Sequence, residues 1–364
     1  MSKTNAPIKI AHILYSGQGG LGTYFQNFVR IDKKRRFQHF AFFYGIEPLY
    51  EEYETFCQQH QITYQYLRRN GKLDFAAFKA CKSFIKKNEI TYALLHTFSL
   101  SPFYWRIRRY VKVISIDHTP YQVKTRLEWI YTALNHLLAF KAIYFYRDQF
   151  QLLKSKFPFL KIGAHTSFLP KTVDIDIFKP QQLDNESGRP FTIGTTARII
   201  QGKRHDLLIE AVKYLKDQGQ TIHLRIAGDG PNLNTCQELV AMLGLHDQVE
   251  FTGRLTSKEI LHFYQSLDAY AHASEGETVC YCIMEAQACG LTILASDVEG
   301  INNVIMHGED GFLFENEVTS VANALLEISL QRVLLPTMAE KSRLLAEDNY
   351  WKHNPVDGIA SLLI

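Results

Sequence analysis

The chain has 364 residues, 46% of them hydrophobic and 21% charged, a globular composition with enough length for two domains. No apolar run approaches the roughly eighteen residues of a membrane span, and Met1 to Ile8 lacks a signal-peptide core, so the expected location is the cytoplasm. The net charge of +3 conceals a split: through Pro180 there are 27 Lys and Arg against 12 Asp and Glu, and beyond it 13 against 25, which points the first part at an anionic surface.

Residues 8 to 14 read as a buried parallel strand, followed by Tyr15-Ser16-Gly17-Gln18-Gly19-Gly20-Leu21-Gly22 and a helical pattern from Thr23 to Arg30. Glycines there let a backbone approach a ligand, but the spacing is not the Gly-x-Gly-x-x-Gly of dinucleotide binding, and a plain turn explains the loop nearly as well. Strand-like runs at Phe37–Phe43, Thr63–Leu67, Tyr92–Leu95, Val111–Ile116, Ala142–Phe145 and His165–Phe168 alternate with helical patterns, the mark of a doubly wound α/β domain. His96 and Asp117-His118-Thr119-Pro120 fall at strand ends, where such folds build ligand crevices. His118 is the stronger candidate for chemistry.

Basic residues mix with aromatics at Lys33–Phe37, Pro102–Lys112 and Lys124–Arg147, which include Trp105 and Trp129. This pattern suits anionic lipid headgroups, and equally a solvated face over ordinary core aromatics. Nothing carries a nucleic-acid-binding signature. Residues 170–190 break the periodicity with three prolines and read as an interdomain linker. The expected domains are 1–170 and 191–348, with 171–190 between them and 349–364 packing back on the first.

The second part opens with a strand at Phe191–Thr196, then Arg198 and Lys203 five residues apart, which can converge on one diphosphate. Strand Ile222–Ala227 leads to Gly228-Asp229-Gly230-Pro231, and Val249–Thr252 to Gly253-Arg254 and a helix from Ser257. His272–Gly290 then passes through a polar turn into a buried helix starting at Thr278 and capped by Gly290. Its free N–H groups suit a phosphate. On such a helix Glu277 and Glu285 share one face, and the buried Glu285 asks for a hydrogen-bonding partner that sugar or ribose hydroxyls would supply. One helix is expected from about Val318 to Glu347. The six cysteines, Cys57, Cys81, Cys236, Cys280, Cys282 and Cys289, show neither disulfide-framework nor Cys-x-x-Cys spacing, so buried thiols and no metal ligands are expected.

Taken in order, Arg198 and Lys203, Gly228–Pro231, Val249–Gly253, Ser274–Glu285, Ala286–Gly290 and Gly308–Phe312 resemble the motifs of retaining glycosyltransferases of family 4. The resemblance is densest over 191–315. It implies the GT-B architecture, two doubly wound Rossmann-like α/β domains facing across a cleft. By the same resemblance Arg198 and Lys203 bind the donor diphosphate, Glu277 holds the transferred sugar and Glu285 the ribose. Gly228, Arg254 and the N–H groups of Val279, Cys280 and Tyr281 line the donor site. His118 lies near the reacting sugar, with Gly19 and Gly20 closing on the phosphates. Cys280 stands where the family often has glycine, and the bulk of Tyr281 beside it narrows the donor pocket.

The implied activity is sugar transfer, with retained configuration, from a nucleotide diphosphate sugar, UDP favoured, to a glycan or lipid-linked acceptor of polysaccharide biosynthesis. No metal or other cofactor is expected, and the cytoplasmic protein would contact the inner face of the plasma membrane peripherally. A GT-B epimerase or phosphorylase and a non-catalytic nucleotide-sugar-binding module are the rival readings.

Overall fold

The computed structural model describes residues 7–17, 19–71, 74–97, 101, 103–119, 121, 124–169, 171–181, 190–256, 258–278, 280–351 and 355–363. They form two compact units, Met1–Thr172 with His353–Ile364, and Val173–Lys352.

The first unit alternates strictly: β1 (Ile8–Leu14), α1 (Gly20–Ile31), β2 (Phe37–Gly45), α2 (Glu51–Gln59), β3 (Thr63–Arg68), α3 (Phe75–Lys87), β4 (Tyr92–Leu95), α4 (Tyr104–Ile107), β5 (Lys112–Ile116), α5 (Arg126–Leu138), β6 (Lys141–Tyr144), α6 (Arg147–Lys156) and β7 (Thr166–Phe168). The strands pair in parallel in the order β3-β2-β1-β4-β5-β6-β7. Both faces are covered, and the sequence shows why. Along β2, Phe40, Phe42 and Tyr44 enter one core with Phe84 and Val113, while Ala41 and Phe43 enter another with Phe25 and Phe56.

The second unit runs β8 (Phe191–Thr196), α7 (His205–Asp217), β9 (Ile222–Ala227), α8 (Leu233–Met242), β10 (Val249–Gly253), α9 (Glu259–Gln265), β11 (Ala269–His272), α10 (Tyr281–Ala288), β12 (Thr292–Ser296), β13 (Gly311–Phe314), α11 (Val318–Leu330) and α12 (Leu335–Ala346). Its parallel sheet is ordered β10-β9-β8-β11-β12-β13. A last helix, α13 (Pro355–Leu363), belongs to the first unit, where Arg36 Nη2 meets Asp357 Oδ1 at 2.9 Å.

Each sheet reverses its winding once. The switch lies between β1 and β4 in the first unit and between β8 and β11 in the second, the position where open α/β sheets bind ligands beyond their strand ends.

Several expectations need correction. The single helix from Val318 to Glu347 is broken by the 3-10 turn Arg332–Leu334, after which α12 starts with Pro336 in its first turn, because proline lacks the N–H an inner turn needs. Within the stretch expected as linker, Val173, Ile175 and Phe178 are buried, and Arg343 Nη1 donates to the carbonyls of Ile175 and Phe178. Trp129 is buried beside Tyr121 rather than offered to a membrane. Trp105 lies in α4, and Pro102 and Pro120 lie outside the described residues. Among the described residues no single helix is long and apolar enough to cross a membrane.

Candidate functional site

In the second unit the turn after β8 and the turn after β11 bring a lysine, a glutamate and a histidine together. Lys203 closes the short 3-10 turn Gln201–Lys203, and its Nζ is bonded to Glu277 Oε1. The same oxygen lies 3.1 Å from His272 Nε2 and accepts from Ser274 Oγ at 3.3 Å. The Glu277 side chain is only 11% exposed. Burial opposes its charge, yet the Lys203 ammonium and the His272 ring outweigh burial and hold its carboxyl down at about 2. Burial also opposes charge on His272, but Cys282 and Glu277 raise it to about 9. Burial works against Lys203 in the same way, and Glu277, then the two sulfurs, carry it above its ordinary value.

The helix behind this cluster differs from the expected one. It begins at Tyr281 with Cys280 as N-cap in extended conformation, so Glu277 stands in the preceding loop and does not share a helical face with Glu285. What fixes Glu277 comes from the turn after β12. The Glu277 N–H donates to Glu299 O at 3.1 Å, and Gly300, at φ 84°, passes so close that a Cβ there would stand 1.7 Å from Glu277 O. Only glycine fits that combination of conformation and contact. Gly300 carries no motif signal in the sequence, because its partner is a backbone atom twenty-three residues earlier in the chain.

Glu285, 8% exposed in α10, accepts from Tyr264 Oη at 2.9 Å. Tyr264 in turn meets Thr196 Oγ1 at 2.8 Å, and Thr196 lies 3.2 Å from Tyr270 Oη. The polar partner that the sequence demands of Glu285 is thus supplied from within the fold. Gly228 and Gly230 serve close passage of the turn after β9 against the turn after β8: a Cβ at Gly228 would meet Ala197 O at 2.0 Å. Arg254 Nε pairs with Asp229 Oδ2 at 3.0 Å, and Arg198 is exposed after β8. Val279 lies outside the described residues.

Cys280 and Cys282 flank buried Tyr281 at the start of α10. Their sulfurs stand 2.9 Å apart, and they approach different nitrogens of His272, Cys280 to Nε2 at 3.4 Å and Cys282 to Nδ1 at 3.7 Å. These three donors lie within 4.8 Å of one another. Two sulfurs on a tetrahedral zinc at about 2.3 Å would sit about 3.8 Å apart, with one nitrogen of His272 turned to the metal, whereas here they stand closer and face different nitrogens. Burial pushes the Cys280 thiol up; for Cys282, burial is outweighed by the hydrogen bond from Cys280 and by His272, and its value falls.

In the first unit Gly19 is the N-cap of α1. Its N–H donates to Tyr53 Oη at 3.2 Å, which fixes the loop that continues into Gly20. His118, after β5, lies 2.9 Å from His96 Nδ1 through its Nε2 and packs on Tyr24 and Phe145. Asp117, whose role the sequence does not assign, is buried in an ion pair with Lys124 at 2.6 Å; the two side chains are 5% and 0% exposed. Lys124 also donates to Thr132 Oγ1.

Residues 177–344 match the family described as "Glycosyl transferases group 1". Among curated proteins, an exopolysaccharide phosphotransferase of Streptomyces coelicolor is 33% identical over 153 residues, covering 42% of this chain and 16% of its own length. A GDP-mannose-dependent alpha-(1-6)-phosphatidylinositol monomannoside mannosyltransferase of Mycobacterium tuberculosis is 26% identical over 47% of this chain and 48% of its own. An alpha-monoglucosyldiacylglycerol synthase of Streptococcus pneumoniae is 29% identical over 53% and 46%. The chain spans about half the length of these relatives or less. Of solved structures, Anabaena HepE in complex with UDP and glucose superposes with a TM-score of 0.81 at 19% identity, covering 98% of this chain and 99% of that one. Sucrose-phosphate synthase of Thermosynechococcus elongatus gives 0.76 at 17% identity, with 98% of each covered. The chain therefore has the two-unit α/β fold of the GT-B glycosyltransferases, and residues 177–344 of its second unit carry the match to group 1.

Proposed function

We propose that the protein is a retaining glycosyltransferase that moves a sugar from a nucleotide diphosphate sugar to an acceptor hydroxyl. The observation that carries this reading is the Lys203–Glu277–His272 cluster at the switch point of the second sheet, beside the start of α10. Lys203 and Arg198 would neutralise the leaving diphosphate, helped by the N–H groups at the mouth of α10. Glu277, fixed as a carboxylate, would accept hydrogen bonds from the transferred sugar, and Glu285 would bind the ribose alongside Tyr264. Gly228 and Arg254 would border the donor, and Val279, Cys280 and Tyr281 would give it backbone contacts. By the same resemblance His118 in the first unit acts near the reacting sugar and Gly19–Gly20 near the phosphates. The leaving phosphate would help to deprotonate the acceptor, so no residue need become a covalent nucleophile and no metal is required.

UDP is the proposed carrier, because several solved proteins of this fold hold it. GDP is the runner-up, favoured by the GDP-mannose-dependent relative. A lipid-linked or surface-glycan acceptor is supported by the lipid substrates named for two relatives. It is supported too by an exposed apolar stripe on α5, formed by Leu127, Ile130, Leu134 and Leu137, in the part of the chain with the basic surplus. This stripe would meet anionic lipid peripherally from the cytoplasmic side. Vesicle co-sedimentation should then rise with anionic lipid content and fall with salt; binding indifferent to both removes the membrane contact.

The deciding experiment is incubation with radiolabelled UDP- and GDP-sugars and extracted lipid or glycan acceptors. Transfer is expected from the wild type and should be strongly reduced in both Lys203→Ala and Glu285→Gln. Turnover unchanged in both variants refutes the assignment. Product without an acceptor, or dependence on inorganic phosphate, would instead indicate an epimerase or a phosphorylase.

A further inference from the structure

Four histidines of the first unit form one hydrogen-bonded row across its sheet. His118 Nε2 lies 2.9 Å from His96 Nδ1, His96 Nε2 lies 3.2 Å from His12 Nδ1, and His12 Nε2 lies 3.2 Å from His39 Nδ1. The row ends at Asp32, whose Oδ2 is 3.2 Å from His39 Nε2. Every link joins an Nε2 to an Nδ1, so the row has a direction. His12 sits in β1, His39 in β2, His96 after β4 and His118 after β5.

A neutral imidazole has one N–H and one lone pair. Asp32 is the anionic end and accepts, in addition, from the N–H groups of Arg36 and Phe37. With His39 neutral, its Nε2–H must face the carboxylate, leaving Nδ1 to accept from His12. The constraint passes along the row until His118 is also Nε2–H, with the lone pair on Nδ1. With His39 protonated, both its nitrogens donate and every ring reverses, so Nδ1 of His118 becomes a donor. The inner rings stay neutral in both states. Burial favours this: it holds His12, His96 and His118 below the usual imidazole range, His96 down to about 3.

We propose that these five groups form a proton relay, in which Asp32, His39, His12 and His96 position His118 and exchange a proton with its Nδ1. When a hydronium ion from solvent yields a proton to Nδ1 of His118, the electron pair of the broken O–H bond stays on the water oxygen. Nε2 of His118 passes its proton to Nδ1 of His96, Nε2 of His96 to Nδ1 of His12, and Nε2 of His12 to Nδ1 of His39. One N–H bond forms and one breaks at each of the three inner rings. The surplus proton rests on His39 beside the Asp32 carboxylate. No step of the relay depends on the proposed transferase activity. Among the described residues, ionisable groups near the row include His60 at the His39 end and Lys171 and Tyr24 at His118, and the four links given above join only row members.

Long-range 15N–1H NMR of histidine-labelled protein, recorded across the pH range in which it stays folded, tests the relay without substrate. The expected result is that His12, His96 and His118 are Nε2–H tautomers at high pH. They should convert together to Nδ1–H, without forming imidazolium, as His39 takes up a proton. His39→Phe, which keeps an aromatic ring against Phe28 and Phe37, should abolish this joint conversion. Asp32→Asn keeps all four rings and should leave the three in mixed tautomers at high pH, since an amide can donate as well as accept and no longer fixes the Nε2–H of His39. Three rings that hold one tautomer throughout, or that become imidazolium one at a time, overturn the proposal. Failure of sugar transfer in the wild type would count against the proposed function, whereas the tautomer pattern would still decide for or against the relay.

Discussion

Replacing Lys203 by Met removes the ammonium that Glu277 faces while keeping a side chain of similar reach. Glu277 is held at about 2 against an ordinary 4.5, a gap worth about 3 kcal/mol at about 1.4 kcal/mol per pH unit. His272 remains on the same oxygen at 3.1 Å, but the burial that opposes the charge is then largely uncompensated, so the variant should lose about 3 kcal/mol. The sign follows from a depressed carboxyl value. The contribution is present in full above about pH 4.5 and disappears as pH falls toward 2. Urea unfolding of wild type and Lys203→Met should therefore show the largest difference near pH 7 and a much smaller one near pH 3. Equal stability at pH 7, or a difference that grows on acidification, would refute the account of Glu277 as a charge pinned by Lys203.

Gly300→Ala should cost at least about 2 kcal/mol and weaken nucleotide binding measured by calorimetry, because the new Cβ displaces the backbone of Glu277. Tyr264→Phe removes a donor to buried Glu285 and should lower stability by about 1–3 kcal/mol in denaturant titrations. Lys124→Met leaves Asp117 as a buried charge without its ammonium. A loss of about 3–5 kcal/mol is expected by thermal or chemical unfolding; a loss under about 1 kcal/mol would mean that Asp117 is served well enough by its other contacts.

The strands and their parallel arrangement are legible because buried βαβ strands read as short continuous apolar runs. The six strand-like runs after β1 match β2 to β7 to within two residues at each end. The loops bearing Lys203 and Glu277 are legible for the same reason, since each follows such a run. The partnerships are not. Nothing local in Glu277 indicates that Lys203, seventy-four residues earlier, is its counter-ion. Helix α10 starts three residues later than the sequence suggests, because the polar turn at Ser274–Thr278 contains good capping types, while the chain instead uses Cys280, which has no side-chain cap bond. His12 and His39 carry no signal at all. Each is a polar residue in a largely apolar strand, and their relation exists only once β1 and β2 lie side by side.

The contact of Gly300 with Glu277 makes the conformation of the acidic loop a property of two strand–loop units rather than of the segment that contains the motif. A chimera in which Ser274–Glu285 alone is moved into a related scaffold would import the side chains without the shape that aims them. The transplantable piece has to extend through Ile301, so that the turn after β12 travels with the loop it braces.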